Sequence, residues 1–217
     1  MADIFQEVDE EVRKERLLQL WQRYGNVLIA VCILIVVGVG GWRGYEWWQN
    51  RKAAESGAAF ESAVRLAETG KHQEAEAAFA KLAADGSAGY RPLARLREAA
   101  ELAGTDRAAA VKAYDDIAAD RNAGPVIQDL AAVRAGLLLV DTAPYSEILK
   151  RLEPQTAAEK PFRHTARELL ALSAWKSGDM AAAKQWATMI ITDPLTPQGT
   201  RSRAEVLTEL IASSGKG

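Results

Sequence analysis

Residues 24–42 of this chain carry no charge, and the run 27–41 within them reads VLIAVCILIVVGVGG, between Arg23 and Arg43. As a helix rising about 1.5 Å per residue, these 19 positions reach roughly 28 Å, close to the roughly 30 Å hydrocarbon core of a bilayer. The ten Val, Leu and Ile side chains of the run favour insertion by about 0.3 to 0.6 kcal/mol each, or roughly 3 to 6 kcal/mol together. Trp21 and Tyr24 precede the run, and Trp42, Tyr45, Trp47 and Trp48 follow it. Amphipathic rings prefer those headgroup-level positions. The stretch is therefore expected to cross a membrane once, with lipid as its first partner, and the rest of the chain to fold as a tethered unit.

A secretory leader has a short basic start, an apolar stretch of about 7 to 15 residues and a small-x-small cleavage site. Here the leading segment is long and mixed in charge, and cleavage at the weak Gly38-x-Gly40 pattern would leave the Trp-rich belt at a new N-terminus. Retention as a signal anchor is the expectation. Basic residues near the span number four before it (Arg13, Lys14, Arg16, Arg23) and three after it (Arg43, Arg51, Lys52), a slight lean toward an N-terminus inside. Gly40 and Gly44 offer only a weak small-xxx-small contact for a second helix.

Residues 1–23 read as a helical, amphipathic tail: Asp3 can cap with Gln6, and Ile4, Val8, Val12, Leu17, Leu20 and Trp21 recur at helical spacing. Such a tail lies on the membrane surface, docks on a partner, or is a solvated extension.

The roughly 165 residues after the span suffice for one domain with a substantial core, or for a short repeat array. Net charge is −2, so no basic field attracts nucleic acid. The single cysteine, Cys32, lies inside the apolar run, so the remainder forms no disulfide and reads as compatible with either redox compartment.

From Arg51 onward the chain turns Ala-rich and repetitive. Phe60, Ala63 and Leu66 precede Gly70, and Ala75, Phe79 and Leu82 follow it. The bulky positions return 35 residues later as Ala110, Tyr114 and Ile117 behind Gly104, then as Leu149 and Leu152 in a degenerate copy interrupted by Pro144. A clearer fourth copy has Ala171 and Ala174 before Gly178, then Ala183, Ala187 and Ile190, closing with Asp193 and Pro194. A unit of 34 or 35 residues with small residues at a helix crossing and Gly in the turn is the tetratricopeptide pattern. Gly is expected to end the first helix in a left-handed turn, and Asp106 and Asp179 to cap the second.

Helix pairs are expected at 55–69 with 72–85, 90–103 with 106–120, 126–140 with 144–152, and 161–176 with 179–191, followed by a capping helix at 200–213. The fold class is thus all-α: a transmembrane helix, then a short tetratricopeptide-like α-solenoid of about four helix pairs with a C-terminal capping helix. The expected divisions are 1–23 as tail, 24–48 as anchor with aromatic belts, 49–213 as repeat domain and 214–217 as a disordered end.

Catalysis has little to work with. The repeat region has no Cys and only His72 and His164, in no ligand spacing, and the adjacent Asp115 and Asp116 point about 100° apart on a helix. No phosphate-cradling loop is present, so neither enzyme, cofactor, metal nor small-molecule substrate is expected. What a solenoid does offer is the inner surface made by the first helix of each pair. The repeat register points Arg95, Leu102, Leu130, Arg134, Leu137, Glu168, Leu172 and Trp175 toward it, a strip suited to an extended or helical peptide. Many of these Leu and Trp side chains are equally suited to fill the interhelical core, Trp175 and Trp186 above all.

GWRGYEWW with Gly41, Trp42, Arg43 and Tyr45, the Gly70 unit, and KSGDMAAA over residues 176–183 together resemble the YfgM-like ancillary subunits of the bacterial SecYEG translocon, across essentially the whole chain. The resemblance implies an inner-membrane protein with its N-terminus in the cytoplasm and its repeat domain in the periplasm. It also implies protein partners: the translocon, a membrane-anchored prolyl isomerase and exported chains, served in a chaperone-like role with no catalytic residue. The alternative is a cell-envelope assembly scaffold for one dedicated folded partner. The extension MADIFQEVDEEVRKERL exceeds that pattern, so no role of the tail is carried over.

Overall fold

A computed structural model of the chain describes residues 3–214, with side chains over 21–213. The described residues are helical with no strand, and the chain divides into two compact units between Lys52 and Ala53. Helix α1 is Asp3–Glu68; its residues up to Lys52 belong to the first unit and the rest to the second. The packing of the expected amphipathic tail rests on side chains outside the described residues.

Within the first unit, α1 contains a stretch long and apolar enough to cross a membrane. Its side chains do not pack into a core: Leu34 is 74% and Val36 70% exposed. Trp21, Tyr24, Trp42, Tyr45, Trp47 and Trp48 are all exposed. The Arg23 guanidinium lies 5.8 Å from the Tyr24 ring centre, Arg51 lies 5.6 Å from Trp47, and the Lys52 ammonium 5.8 Å from Trp48. Cations and rings thus attract one another at both ends of the apolar run.

In the second unit the end of α1 is followed by α2 (His72–Asp85), α3 (Tyr90–Leu102), α4 (Arg107–Ala119), α5 (Pro125–Leu139), α6 (Tyr145–Leu152), α7 (Arg163–Lys176), α8 (Met180–Thr192) and α9 (Gln198–Ser214). These are the expected pairs and the expected final helix, with boundaries shifted by at most two residues, except that the helix expected to begin at 55 has no start of its own and is the end of the continuous α1. Residues 215–217, expected as a disordered end, lie outside the described residues.

Each successive pair packs on the next. One apolar cluster joins Ala63, Ala75, Phe79 and Ala94; a second joins Leu96, Tyr114, Ile117 and Ala131; a third gathers Ile148, Leu152, Leu170, Ala183 and Trp186. Alanines that are 0% exposed, such as Ala75, Ala110 and Ala183, sit where the helices cross, because only a methyl group fits between closely approaching backbones. The Phe79 ring meets Phe60 at 5.5 Å, and Phe60 meets Tyr90 of the following pair at 5.8 Å.

Gly70 and Gly178 take the expected left-handed conformation, at φ 79° and 83°. At the first, the Gly70 N–H donates to the Ala67 carbonyl at 3.0 Å and the Lys71 N–H to that of Leu66 at 2.9 Å; Gly178 and Asp179 repeat the arrangement with Trp175 and Ala174. These bonds satisfy carbonyls that a helix end leaves without intrahelical partners. Gly104 departs from the expectation, since it is not among the positive-φ residues. Its turn is one residue longer, with Ala110 six positions on where Ala75 and Ala183 lie five beyond their glycines. Tight turns through Glu101 and Leu102 carry the chain instead. The Asp106 and Asp179 carboxylates cap α4 and α8, each accepting a backbone N–H at 2.9 Å.

The third pair differs from the expected register. Ile148, not Leu149, is fully buried beside Leu152, while Leu149 is half-buried. Pro144, in extended conformation, starts an eight-residue helix at Tyr145, and that start sets the phase. Tyr145 accepts a hydrogen bond from the Trp186 indole at 2.9 Å. Gly136 lets α5 approach α6 so closely that a Cβ there would lie 2.8 Å from the Leu152 methyls.

Candidate functional site

The first helices of the pairs, α3, α5 and α7, follow one another in contact, and α7 in turn touches α9. Each buries one stripe, such as Ala94, Leu96 and Ala99 on α3 or Ala131, Val133 and Ala135 on α5. The opposite stripe is exposed at positions 93, 97 and 100 of α3, 134 and 137 of α5, and 172 and 175 of α7, with Leu130 and Glu168 half-buried along it. Helical spacing continues this row on α9 as Arg203, Val206 and Leu210, and the Arg203–Glu168 pair, at 2.5 and 2.9 Å, joins α9 to α7 along it.

Between α3 and α5 the row deepens into a cavity of about 320 Å³, with Phe60, Leu96 and Tyr114 in its lining together with Leu93, Ala100 and Leu130. Arg97 and Arg134 complete the lining. Tyr114 is nearly buried, with its hydroxyl 3.5 Å from the Leu96 carbonyl it donates to. Burial raises the Tyr114 pKa, and the two guanidinium groups pull it partly back.

Among the described residues from Ala53 onward nine large apolar side chains are exposed, and six of them belong to this row: Leu93, Leu137, Leu172, Trp175, Val206 and Leu210. Val126, Met180 and Leu195 lie elsewhere. Of the residues singled out in the sequence, Leu130, Arg134, Leu137, Glu168, Leu172 and Trp175 fall at row positions. Trp175 is 38% exposed rather than in the core, whereas Trp186 is buried as expected.

Arg95 and Leu102 lie off the row. The Arg95 guanidinium donates to the Asp120 carboxylate at 2.5 Å; the Asn122 N–H, and after it Arg95, hold that carboxyl below its ordinary pKa, and Leu102 is half-buried at the end of α3. Arg97, two residues on, is the basic side chain α3 contributes, and sequence reasoning missed it. The available signal was the 37-residue offset between Arg97 and Arg134, matched by Leu93 with Leu130 and Ala100 with Leu137.

The titratable groups considered for catalysis are dispersed. His72 pairs with Glu101 at 2.7 Å, Asp115 with Arg151, and Asp116 with Lys112 at 2.8 Å. His164 packs at the end of the domain against Thr196, 3.0 Å away. There Arg163 and Arg167 each donate to the Asp193 carboxylate at 3.0 Å, which holds that carboxyl well below the usual range, the Arg163 hydrogen bond contributing most. Among the described residues no group of His, Cys, Asp or Glu could hold a metal ion.

The profile of the tetratricopeptide repeat-like domain family matches residues 19–186, taking in the apolar run as well as the helices from α2 into α8. No curated protein and no solved structure matches the chain. With that match extending over well more than half of its length, the chain belongs to the tetratricopeptide repeat-like family, a fold built for protein–protein interaction.

Proposed function

We propose that this protein is a single-span membrane protein whose repeat domain binds other proteins along the α3–α5–α7–α9 row. The supporting observation is the concentration of exposed apolar side chains there, six of the nine among the domain's described residues. Exposed apolar patches rimmed by polar groups are what binding surfaces require. The span confines the domain to the membrane plane, where the effective concentration of other membrane-bound partners is raised.

In its finer form the reading is an ancillary translocon subunit of the bacterial inner membrane, with its N-terminus in the cytoplasm and its repeat domain in the periplasm. It sits beside the translocon and a membrane-anchored prolyl isomerase and holds exported chains in a chaperone-like way. The resemblance carried by GWRGYEWW and KSGDMAAA supports this form.

Photoreactive side chains at Leu172 and Trp175 in intact cells test it. The expected products are a spread of newly exported polypeptides; one stoichiometric folded protein establishes the envelope-scaffold alternative, and the absence of protein products removes the binding reading. A reporter fused after Gly217 is expected to work only outside the cytoplasm, and activity inside overturns the topology.

A further inference from the structure

The row has two chemically different ends. Toward α7 and α9 it is apolar, and its one carboxylate, Glu168, is neutralised by Arg203. Toward α3 and α5 the cavity is lined by Arg97, Arg134 and apolar groups, with no carboxylate among the lining residues, although acidic residues outnumber basic ones in the chain, 29 to 27.

Neither Arg97 nor Arg134 has a salt-bridge partner among the described residues. Glu98, next to Arg97 in sequence, lies under the charges of Glu76 and Arg95, and the carboxylates about a turn away have partners of their own. Glu101, one helical turn beyond Arg97, pairs with His72 at 2.7 Å, and Asp129, five residues before Arg134, pairs with Lys160 at 2.8 Å. Four other arginines of the domain, Arg95, Arg151, Arg163 and Arg167, each meet a carboxylate. Two weakly hydrated guanidinium groups over an apolar floor, where water screens them less, suit a planar carboxylate.

Resting on the protein-binding reading, we propose that the row takes an extended peptide segment with an acidic half and an aliphatic half. Its carboxylates sit between Arg97 and Arg134 and its aliphatic side chains over Leu172 and Trp175. The partner's polarity along the row is thereby fixed. Three helix-to-helix steps of about 10 Å from α3 to α9 give a track of roughly 30 Å, which about nine extended residues cover at about 3.3 Å each.

The test uses the full chain in nanodiscs of zwitterionic lipid and an array of ten-residue peptides. One half of each peptide is constant and Leu-rich, and the other carries Glu, Gln or Lys. The wild type is expected to bind in the order Glu, Gln, Lys, with on the order of tenfold between the extremes at low salt. The double variant Arg97→Glu with Arg134→Glu reverses the order, Arg97→Gln with Arg134→Gln flattens it, and Leu172→Ala with Trp175→Ala weakens all three peptides alike. Both arginines are exposed, so the charge variants are expected to keep the helical circular dichroism of the parent.

Binding indifferent to charge, an order unchanged by the reversal, or no binding by any peptide overturns the proposal. So does loss of wild-type peptide binding, but not that of the reversed variant, when anionic lipid is added, because the arginines then serve headgroups. Photocrosslinked proteins at Trp175 without a Glu preference leave the binding reading standing and remove only this inference.

Discussion

The pair formed by the end of α1 with α2 and the pair formed by α5 with α6 solve the same packing problem with unequal means. The first has every signature residue: a left-handed glycine, Ala75 at the crossing, Phe79 as wedge, and 14 residues in α2. The other has eight residues in α6 and carries Leu149 where the repeat places Phe79. It is completed within by Gly136, which draws α5 close to Leu152, and from outside by the bond from Trp186 to Tyr145. A repeat can therefore lose much of its own pattern as long as its neighbours fill the volume, in keeping with the nearest-neighbour character of solenoids.

The sharpest way to break this comparison is truncation inside α6. Ile148→Ala removes a side chain that is 0% exposed and is expected to cost about 3 kcal/mol, while Leu149→Ala costs about 1 kcal/mol. Urea denaturation of both variants measures the gap, and equal losses mean that the register begins elsewhere. Next comes Gly136→Ala, whose methyl group meets Leu152; overpacking there is expected to cost about 2 kcal/mol. The residue can yield only by displacing a side chain that is itself fully buried.

A smaller effect separates the turns. Gly70→Ala forces an L side chain into the left-handed region and is expected to cost about 1 kcal/mol. Gly104→Ala is expected to be neutral or to stabilise by about 0.5 kcal/mol, since its conformation suits alanine and the unfolded chain loses freedom. Thermal midpoints of the two variants should move in different directions or by clearly different amounts.

The smallest effect is a loss confined to acid pH. Burial, reinforced by Arg163, holds the His164 pKa below its ordinary value, so the folded domain favours the neutral ring. That contribution is present above the unfolded pKa of about 6.5 and is lost as pH falls through the depressed folded value. His164→Gln is expected to flatten the decline in stability below about pH 6.5, as read from denaturation midpoints at stepped pH.

The helices and most of their ends were legible because glycine, proline and capping aspartates punctuate an Ala-rich 3.6-residue periodicity. The phase of α6 was not, because Ile148 and Leu149 are adjacent and equally apolar, and only the helix start at Tyr145 chooses between them. The binding row was half legible. Local spacing on α3 leaves Arg95 and Arg97 as equal flanks of Leu96, and the choice is made by Asp120, 25 residues away. Trp175 was ambiguous for a related reason: its size suits a core or a binding surface alike, and exposure alone separates them.

Arg167 has a mechanical meaning for the last part of the array. Its guanidinium is buried and holds the Thr156 carbonyl before α7 while also reaching Asp193 after α8. Stacked helix pairs otherwise peel apart one by one, each opening exposing sites for proteases. A single side chain fastened to both connections makes peeling of α8 and α9 conditional on releasing the segment ahead of α7. The terminal helices should therefore resist pulling and proteolytic nicking as one block, giving way together.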